Sequence, residues 1–210
     1  MKKVWAGGIL AMWALASLAT DVAGWASYQR GDLAAARRQF EQAAQAGDRV
    51  AAFDLAMMHW RGEGGAPDQM QGERWLRRAA DAGLPQAQHA LGVLYENGQQ
   101  VAKSLTEATR WFRLAADQSY LPAELDLGTQ YFLGRGAAKD YRLAAYWYEK
   151  AARQGDVGAQ YLIASMYEHG DGVARDLPAA IRWYAKAAAQ GDVGAGLKAL
   201  DLAKRAKPPE

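Results

Sequence analysis

Histidine and carboxylate side chains are the groups in this sequence that could bind a metal ion or act as a general acid and base. His59, His89 and His169 lie far apart, and no spacing places two ligands together on one helix. Glu96 and Glu168 fall on one predicted helical face but two repeats apart, at roughly 10 Å per repeat, too far for the paired carboxylates of a glycosidase. The chain has no cysteine, so it offers no thiolate. We predict no catalytic residue, no metal site and no cofactor.

The composition is that of a folded helical chain. Half of the 210 residues are hydrophobic, and 25 Lys and Arg against 23 Asp and Glu give a net charge of +2. Acids and bases are interleaved, without the basic stripe and aromatic residues that a phosphate backbone requires. Abundant alanine and scarce β-branched residues favour helix. We therefore expect an all-α protein whose partner is not nucleic acid.

An internal repeat of 36 residues is the strongest pattern in the sequence. Each repeat contains a tryptophan, at Trp75, Trp111, Trp147 and Trp183. An alanine pair begins four residues after each one: Ala79-Ala80, Ala115-Ala116, Ala151-Ala152 and Ala187-Ala188. The spacing i, i+4 places tryptophan and alanine on one helical face, which predicts that both fill the core of a helical hairpin.

Another helix is predicted before each tryptophan helix. It carries an alanine, then an aliphatic residue and then a ring, and these rings are His59, Tyr95, Tyr131 and Tyr167. Glycines are predicted to end this helix in the left-handed conformation, at Gly62, Gly98, Gly134 and Gly170. A capping residue is predicted to begin the tryptophan helix, at Asp68, Ser104, Asp140 and Asp176.

Both ends of the chain depart from the repeat. Lys2 and Lys3 precede an uncharged run with small residues near its end, which is the layout of a secretory signal peptide over residues 1–19. The alternative is an uncleaved membrane anchor, although the run is shorter than a spanning helix requires. We predict an amino-terminal capping half-repeat at 20–47, repeats at 48–83, 84–119, 120–155 and 156–191, a carboxy-terminal capping helix with a Lys-rich outer side at 192–206, and a frayed tail at 207–210.

The repeat resembles the Sel-one-like repeat, a relative of the tetratricopeptide repeat with a longer hairpin loop. Repeat four carries the pattern most fully, with Ala159, Ile163, Ala164, Tyr167, Gly170, Gly172, Val173, Asp176, Ala180, Trp183, Tyr184, Ala187, Ala188 and Gly191. The resemblance implies a right-handed α-solenoid of helix-turn-helix repeats with a concave face and a role in binding proteins. Departures from the pattern are His59, Gly72, Gln100 and Ser119.

Tetratricopeptide geometry further implies that three positions of each first helix line the concave groove. These twelve residues, the groove stripe, are Phe53, Met57, Trp60, His89, Val93, Glu96, Leu125, Thr129, Phe132, Tyr161, Ser165 and Glu168. They follow i, i+4, i+7 and so share one helical face. The stripe is large and apolar in the first repeat, which is typical of a protein contact. The alternative is that it packs on the neighbouring repeat or on the amino-terminal cap.

These observations together predict an exported interaction protein that binds a protein partner in its groove. The expected compartment is the periplasm, with contact to a membrane only if the leader is uncleaved. One alternative is an immunity protein that neutralises a secreted toxin acting in the periplasm, such as a lipase or a cell-wall hydrolase. The other is an enzyme acting on cell-wall material.

Overall fold

The computed structural model describes residues 23–205, and helices are the only regular structure in that range. The predicted all-α repeat fold is confirmed. The helices are α1 (residues 23–29), α2 (Leu33–Gln45), α3 (Arg49–Arg61), α4 (Gln69–Asp81), α5 (Pro85–Asn97), α6 (Leu105–Ala116), α7 (Leu121–Leu133), α8 (Tyr141–Arg153), α9 (Val157–His169), α10 (Leu177–Ala189) and α11 (Val193–Arg205). The predicted signal peptide, residues 20–22 and residues 206–210 lie outside the described range.

The predicted capping residues begin the tryptophan helices. Asp68 accepts a hydrogen bond from the backbone N–H of Gln71 at 3.0 Å, and Asp176 accepts one from that of Ala179 at 2.8 Å. Ser104 and Asp140 occupy the same position before α6 and α8. Each of these bonds satisfies a backbone donor that has no partner within the helix.

The first helices end at left-handed glycines, as predicted. Gly62, Gly134 and Gly170 have φ angles of 68°, 71° and 83°. Within residues 23–205, two non-glycine residues also adopt positive φ, Gln100 at 64° and Ser119 at 60°. Both stand where other repeats have glycine, so these two hairpins hold an L-residue in a conformation that costs it roughly 1–2 kcal/mol.

The chain divides into two compact units. The first has its described residues at 23–94 and 99–101, and the second has them at 95–98 and 102–205. In the first unit α2 packs on α3, and α3 packs on α4. The core there contains Phe40, Leu55 and Leu76, which are almost fully buried, together with the predicted alanines.

In the second unit, α6 to α11 pack in sequential pairs. Phe112, Leu127 and Tyr184 are fully buried, as are most of the predicted alanines. Gln154 and Gln190, one repeat apart, each donate to a carbonyl oxygen at the end of the preceding repeat, at 3.4 Å on Ser119 and 3.1 Å on Gly155. These bonds fix the distance between successive hairpins.

The outer side of α11 differs from the prediction of a Lys-rich surface. Its exposed residues include Val193, Leu197 and Leu200, which are 77%, 65% and 63% accessible. Lys198 reaches Glu168, with its Nζ 3.2 Å from Oε1, and its side chain is still 41% exposed. Lys204 is exposed as well, so the outer side of α11 carries apolar residues beside its lysines.

Candidate functional site

All twelve residues of the groove stripe are partly exposed in the structure, and none is fully buried or fully open to solvent. Their surroundings differ from repeat to repeat. The stripe borders a pocket in the first repeat, whereas in the third and fourth repeats it contacts rings of the following helix.

Phe53 and Met57 line an apolar pocket of about 220 Å³ at the amino-terminal end of the first unit. The full lining of this amino-terminal pocket is Trp25, Tyr28, Phe40, Phe53, Asp54, Met57, Met58, Arg61 and Glu63. Trp25 is 41% exposed, and its ring packs edge-on against Phe40 with 5.9 Å between ring centroids.

The rim of the amino-terminal pocket is polar. The Tyr28 hydroxyl donates to Oε2 of Glu63 at 3.2 Å, and Arg61 lies 3.8 Å from the same carboxylate. An apolar floor inside a polar rim is the arrangement found at protein–protein contacts.

Trp60, the third stripe residue of this repeat, explains why Gly72 replaces the usual alanine. A Cβ atom on Gly72 would lie only 2.3 Å from the indole Nε1 of Trp60. The indole N–H points to the carbonyl oxygen of Gln69, at 3.4 Å. The missing methyl group therefore leaves space for the larger ring.

Glu96 is the one stripe residue of the second repeat that lies in the second unit. Its Oε1 accepts from Gln130 Nε2 at 2.9 Å and lies 3.6 Å from the Arg135 guanidinium. His89 and Val93 belong to the first unit, and both are partly exposed. Glu96 thus holds two neighbouring side chains, while remaining open enough to meet a partner.

Phe132 and Thr129 of the third repeat contact the helix that follows them. The Phe132 ring lies 5.1 Å from that of Tyr141, and Thr129 Oγ1 is 3.1 Å from the Tyr148 hydroxyl. Burial raises the pKa of Tyr148. Leu125 completes this part of the stripe and is partly exposed.

In the fourth repeat the stripe also contacts a ring of the following helix, through different side chains. Tyr161 packs edge-on against Tyr184 at 5.1 Å, and the Tyr184 hydroxyl donates to Glu168 at 2.9 Å. Burial and this bond to Glu168 raise the pKa of Tyr184 strongly. Burial opposes ionisation of Glu168, but the hydrogen bonds from Tyr184 and Lys198 prevail and lower its pKa. Ser165 lies beside His169.

Two clefts that were not predicted from the sequence lie between the second helices of neighbouring hairpins. The repeat-1 cleft has a volume of about 410 Å³ and is lined by Arg37, Glu41, Gln45, His59, Gln71, Arg74, Trp75 and Arg78. The repeat-4 cleft has a volume of about 340 Å³ and is lined by Glu149, Arg153, Tyr167, Asp176, Ala179, Arg182, Trp183 and Lys186. Each lies within one unit, and the two use equivalent repeat positions.

A pattern in the sequence could have revealed these clefts. Only in the first and fourth repeats is the tryptophan preceded by arginine and followed three residues later by a cation, Arg78 or Lys186. The Arg78 guanidinium lies 5.2 Å from the Trp75 ring centroid, and the Lys186 ammonium lies 4.1 Å from that of Trp183. The second and third repeats each lack one of the two cations.

His59 lies at the base of the repeat-1 cleft and is 8% exposed. Nη2 of Arg37 is 2.8 Å from its Nδ1, so a neutral imidazole accepts a hydrogen bond from the guanidinium. Burial and the charge of Arg37 lower the pKa of His59. In residues 23–205 no group of three His, Asp or Glu side chains is arranged to hold a metal ion.

The fold and these surfaces define an all-α helical-repeat protein with open side-chain clefts. The family model for the Sel1 repeat matches residues 49–84, 85–120, 121–156 and 157–192. The chain therefore belongs to the Sel1 repeat family, as the sequence predicted. Among its described helices, none is both long and apolar enough to cross a membrane.

Two solved structures resemble the chain closely. A protective antigen from uropathogenic Escherichia coli with an SLR fold is 37% identical, with a TM-score of 0.79 over 89% of this chain and 41% of that one. A Sel1 repeat protein from Oxalobacter formigenes is 29% identical, with a TM-score of 0.75 over 85% of this chain and 75% of that one. The chain thus spans less than half the length of the first relative. No curated protein matches it.

Proposed function

We propose that the protein is an exported interaction scaffold that binds a protein partner along the groove stripe, with the amino-terminal pocket as the anchoring point. Sel1 repeat scaffolds typically mediate protein–protein interaction and are generally not enzymes. The observation that carries the proposal is the half-exposed Trp25 beside Phe53 and Met57, around a pocket large enough for one apolar side chain. Aromatic anchors in such pockets supply much of the binding energy of protein interfaces.

A pair of methionine variants tests the anchoring point. Met57→Glu places a charge in the pocket, whereas Met70→Glu places the same charge on an 81% exposed methionine of the same unit, outside the pocket. We expect Met57→Glu to weaken partner binding at least about tenfold, because a charged group in the apolar pocket would lose its water on association. Met70→Glu should retain the affinity, measured by calorimetry with the purified partner. Equal affinities for both variants would contradict the proposal.

Export is tested separately by fractionation of the producing cells. We expect a periplasmic protein whose first residue is Thr20, since the proposed signal peptide covers residues 1–19. Recovery of the intact amino terminus in the membrane fraction would instead establish an uncleaved anchor.

An immunity role is the narrower form of the same proposal, in which the partner is a secreted toxin that acts in the periplasm. Co-production should then protect cells from that toxin, and Met57→Glu should abolish protection while Met70→Glu preserves it. Full resistance of cells lacking the protein would exclude this form and leave the scaffold role intact.

A further inference from the structure

The repeat-1 cleft carries more positive charge than its own acids neutralise. Arg37, Arg74 and Arg78 line it against a single carboxylate, Glu41. Glu41 accepts a hydrogen bond from Gln45 at 3.4 Å, and within residues 23–205 it forms no ion pair with these arginines. Arg74 is exposed and makes no ion pair in the same range. The cleft therefore presents guanidinium groups that remain available to an anion.

Two of the three arginines are held in place by contacts with other residues of the first unit. Arg37 donates to the buried His59, and a Cβ atom on Gly65 would lie 2.3 Å from its Nη1, so the glycine makes room for this guanidinium. Arg78 lies over the face of Trp75 and donates to the Gln45 carbonyl at 3.3 Å. Two guanidinium groups are thus held in position before any ligand arrives, which reduces the entropy lost on binding.

The spacing of the rim arginines distinguishes between kinds of anion. Arg74 and Arg78 are i and i+4 on α4, so their Cβ atoms lie roughly 6 Å apart on one face. Alternate side chains of an extended peptide lie about 7 Å apart on one side. Two carboxylates separated by one residue can therefore bind the two guanidinium groups at the same time. Each carboxylate then accepts two hydrogen bonds from one guanidinium group. A lone phosphate offers a single anionic centre, so both arginine side chains would have to converge on it, with their positive charges brought together.

We propose that the repeat-1 cleft binds an extended acidic segment of a protein partner, in which alternate glutamates or aspartates pair with Arg74 and Arg78. This site lies on α2, α3 and α4 and uses no residue of the groove stripe. It is therefore independent of the amino-terminal pocket and can succeed or fail separately from the proposed function.

The repeat-4 cleft supplies a matched control within the same chain. Its Arg153 is already paired with Glu149 at 2.7 Å, and Asp176 lies in the cleft as a second acid. Arg182 and Lys186 occupy the positions of Arg74 and Arg78. Lysine, however, offers a point charge in place of a planar fork. This cleft should bind the same acidic segment more weakly.

The experiment is a calorimetric titration of the full chain with a blocked peptide of alternating glutamate and threonine, at low salt. We expect binding by the unmodified chain, a loss of about tenfold or more in the Arg74→Gln, Arg78→Gln double variant, and less than twofold loss in the Arg182→Gln, Lys186→Gln variant. Arg74→Lys should be intermediate, because it retains the charge but loses the fork. Unchanged urea midpoints would show that each variant is folded.

Several results would overturn the proposal. These are no binding of the peptide, equal binding of a peptide with glutamine in place of glutamate, or equal losses in the two double variants. Inorganic phosphate that displaced the peptide at equal concentration would identify a phosphate site instead, and would equally contradict an acidic segment as the ligand.

Discussion

The repeat-1 and repeat-4 clefts occupy equivalent positions, yet they differ in charge and in the ring at their base. The first has His59 at its base and three arginines against Glu41. The second has Tyr167, with Arg153, Arg182 and Lys186 against two carboxylates. Alanines, capping residues and tryptophans provide the same frame in both, so a repeat can change the chemistry of its surface without changing its backbone.

Removal of the tryptophan from each cleft should produce the largest difference in stability. Trp75 is 8% exposed, whereas Trp183 is only partly buried. We expect Trp75→Ala to cost about 3–5 kcal/mol and Trp183→Ala less, about 1–3 kcal/mol, because less apolar area is lost from contact. Urea unfolding followed by circular dichroism measures both. A larger loss of unfolding free energy in Trp183→Ala would show that the burial of the tryptophan does not determine its contribution to stability.

Gly72 and Ala180 occupy equivalent positions and provide the next comparison. Gly72→Ala should destabilise the first unit by about 1–2 kcal/mol, since overpacking against Trp60 outweighs the better helix propensity of alanine. The fourth repeat has Glu168 where the first repeat has Trp60. In a Trp60→Glu background, Gly72→Ala should therefore be stabilising, because the indole ring is gone. A double-mutant cycle gives the coupling, and additive effects would contradict the steric explanation.

Some features of the fold can be predicted from the sequence, and others cannot. Helix ends follow from local chemistry, so Asp68 and Gly62 could be assigned from their types and spacing alone. Core positions follow from the period, as Leu55 and Leu127 illustrate. The contacts of Lys198 with Glu168 join different helices, and no local pattern encodes them.

The candidate surfaces were predictable only in part. The groove stripe was named from family geometry, and the structure leaves all of it partly exposed. Trp25 was not named, because it belongs to α1, where the repeat pattern is too degenerate to assign a face. The clefts required the second helices of two successive repeats to be placed side by side, which the pattern of a single repeat does not provide.

Ser119 tests a smaller difference between hairpin ends. Gly83 and Gly155 adopt positive φ at the equivalent positions, whereas Ser119 adopts φ 60° with a side chain. Ser119→Gly should stabilise the second unit by up to about 1 kcal/mol, because relief of the left-handed strain exceeds the added flexibility of the unfolded chain. The Gln154 bond to the backbone carbonyl of residue 119 is retained. Thermal unfolding checks the sign, and a lower midpoint would contradict the account of strain.

The two clefts also differ in the ring at their base, His59 in one and Tyr167 in the other. We expect this difference to have the smallest effect, a change in how stability depends on pH. The pKa of His59 is lowered by burial and Arg37, while Asp68 and Glu41 act in the opposite direction. The unfolded chain therefore binds more protons at His59 as the pH falls below about 7, and stability should decrease until the folded pKa is passed.

His59→Tyr introduces the ring of the other repeats and should remove this decrease. Urea midpoints between pH 7.5 and 5.5 measure the difference, with His169→Gln at an exposed helix end as the control that keeps the decrease. The same pH profile in the His59→Tyr variant and the unmodified chain would show that His59 does not carry the effect.

The central claim is that the groove stripe of the first repeat meets the partner. A photo-crosslinking residue placed separately at positions 57, 146 and 200 in the producing cells tests it directly, because the three sites sample the amino-terminal pocket, an exposed helix face and the apolar outer side of α11. The account predicts one discrete crosslinked product from position 57 and none from positions 146 and 200. A product from position 146 or 200, with none from position 57, would contradict it.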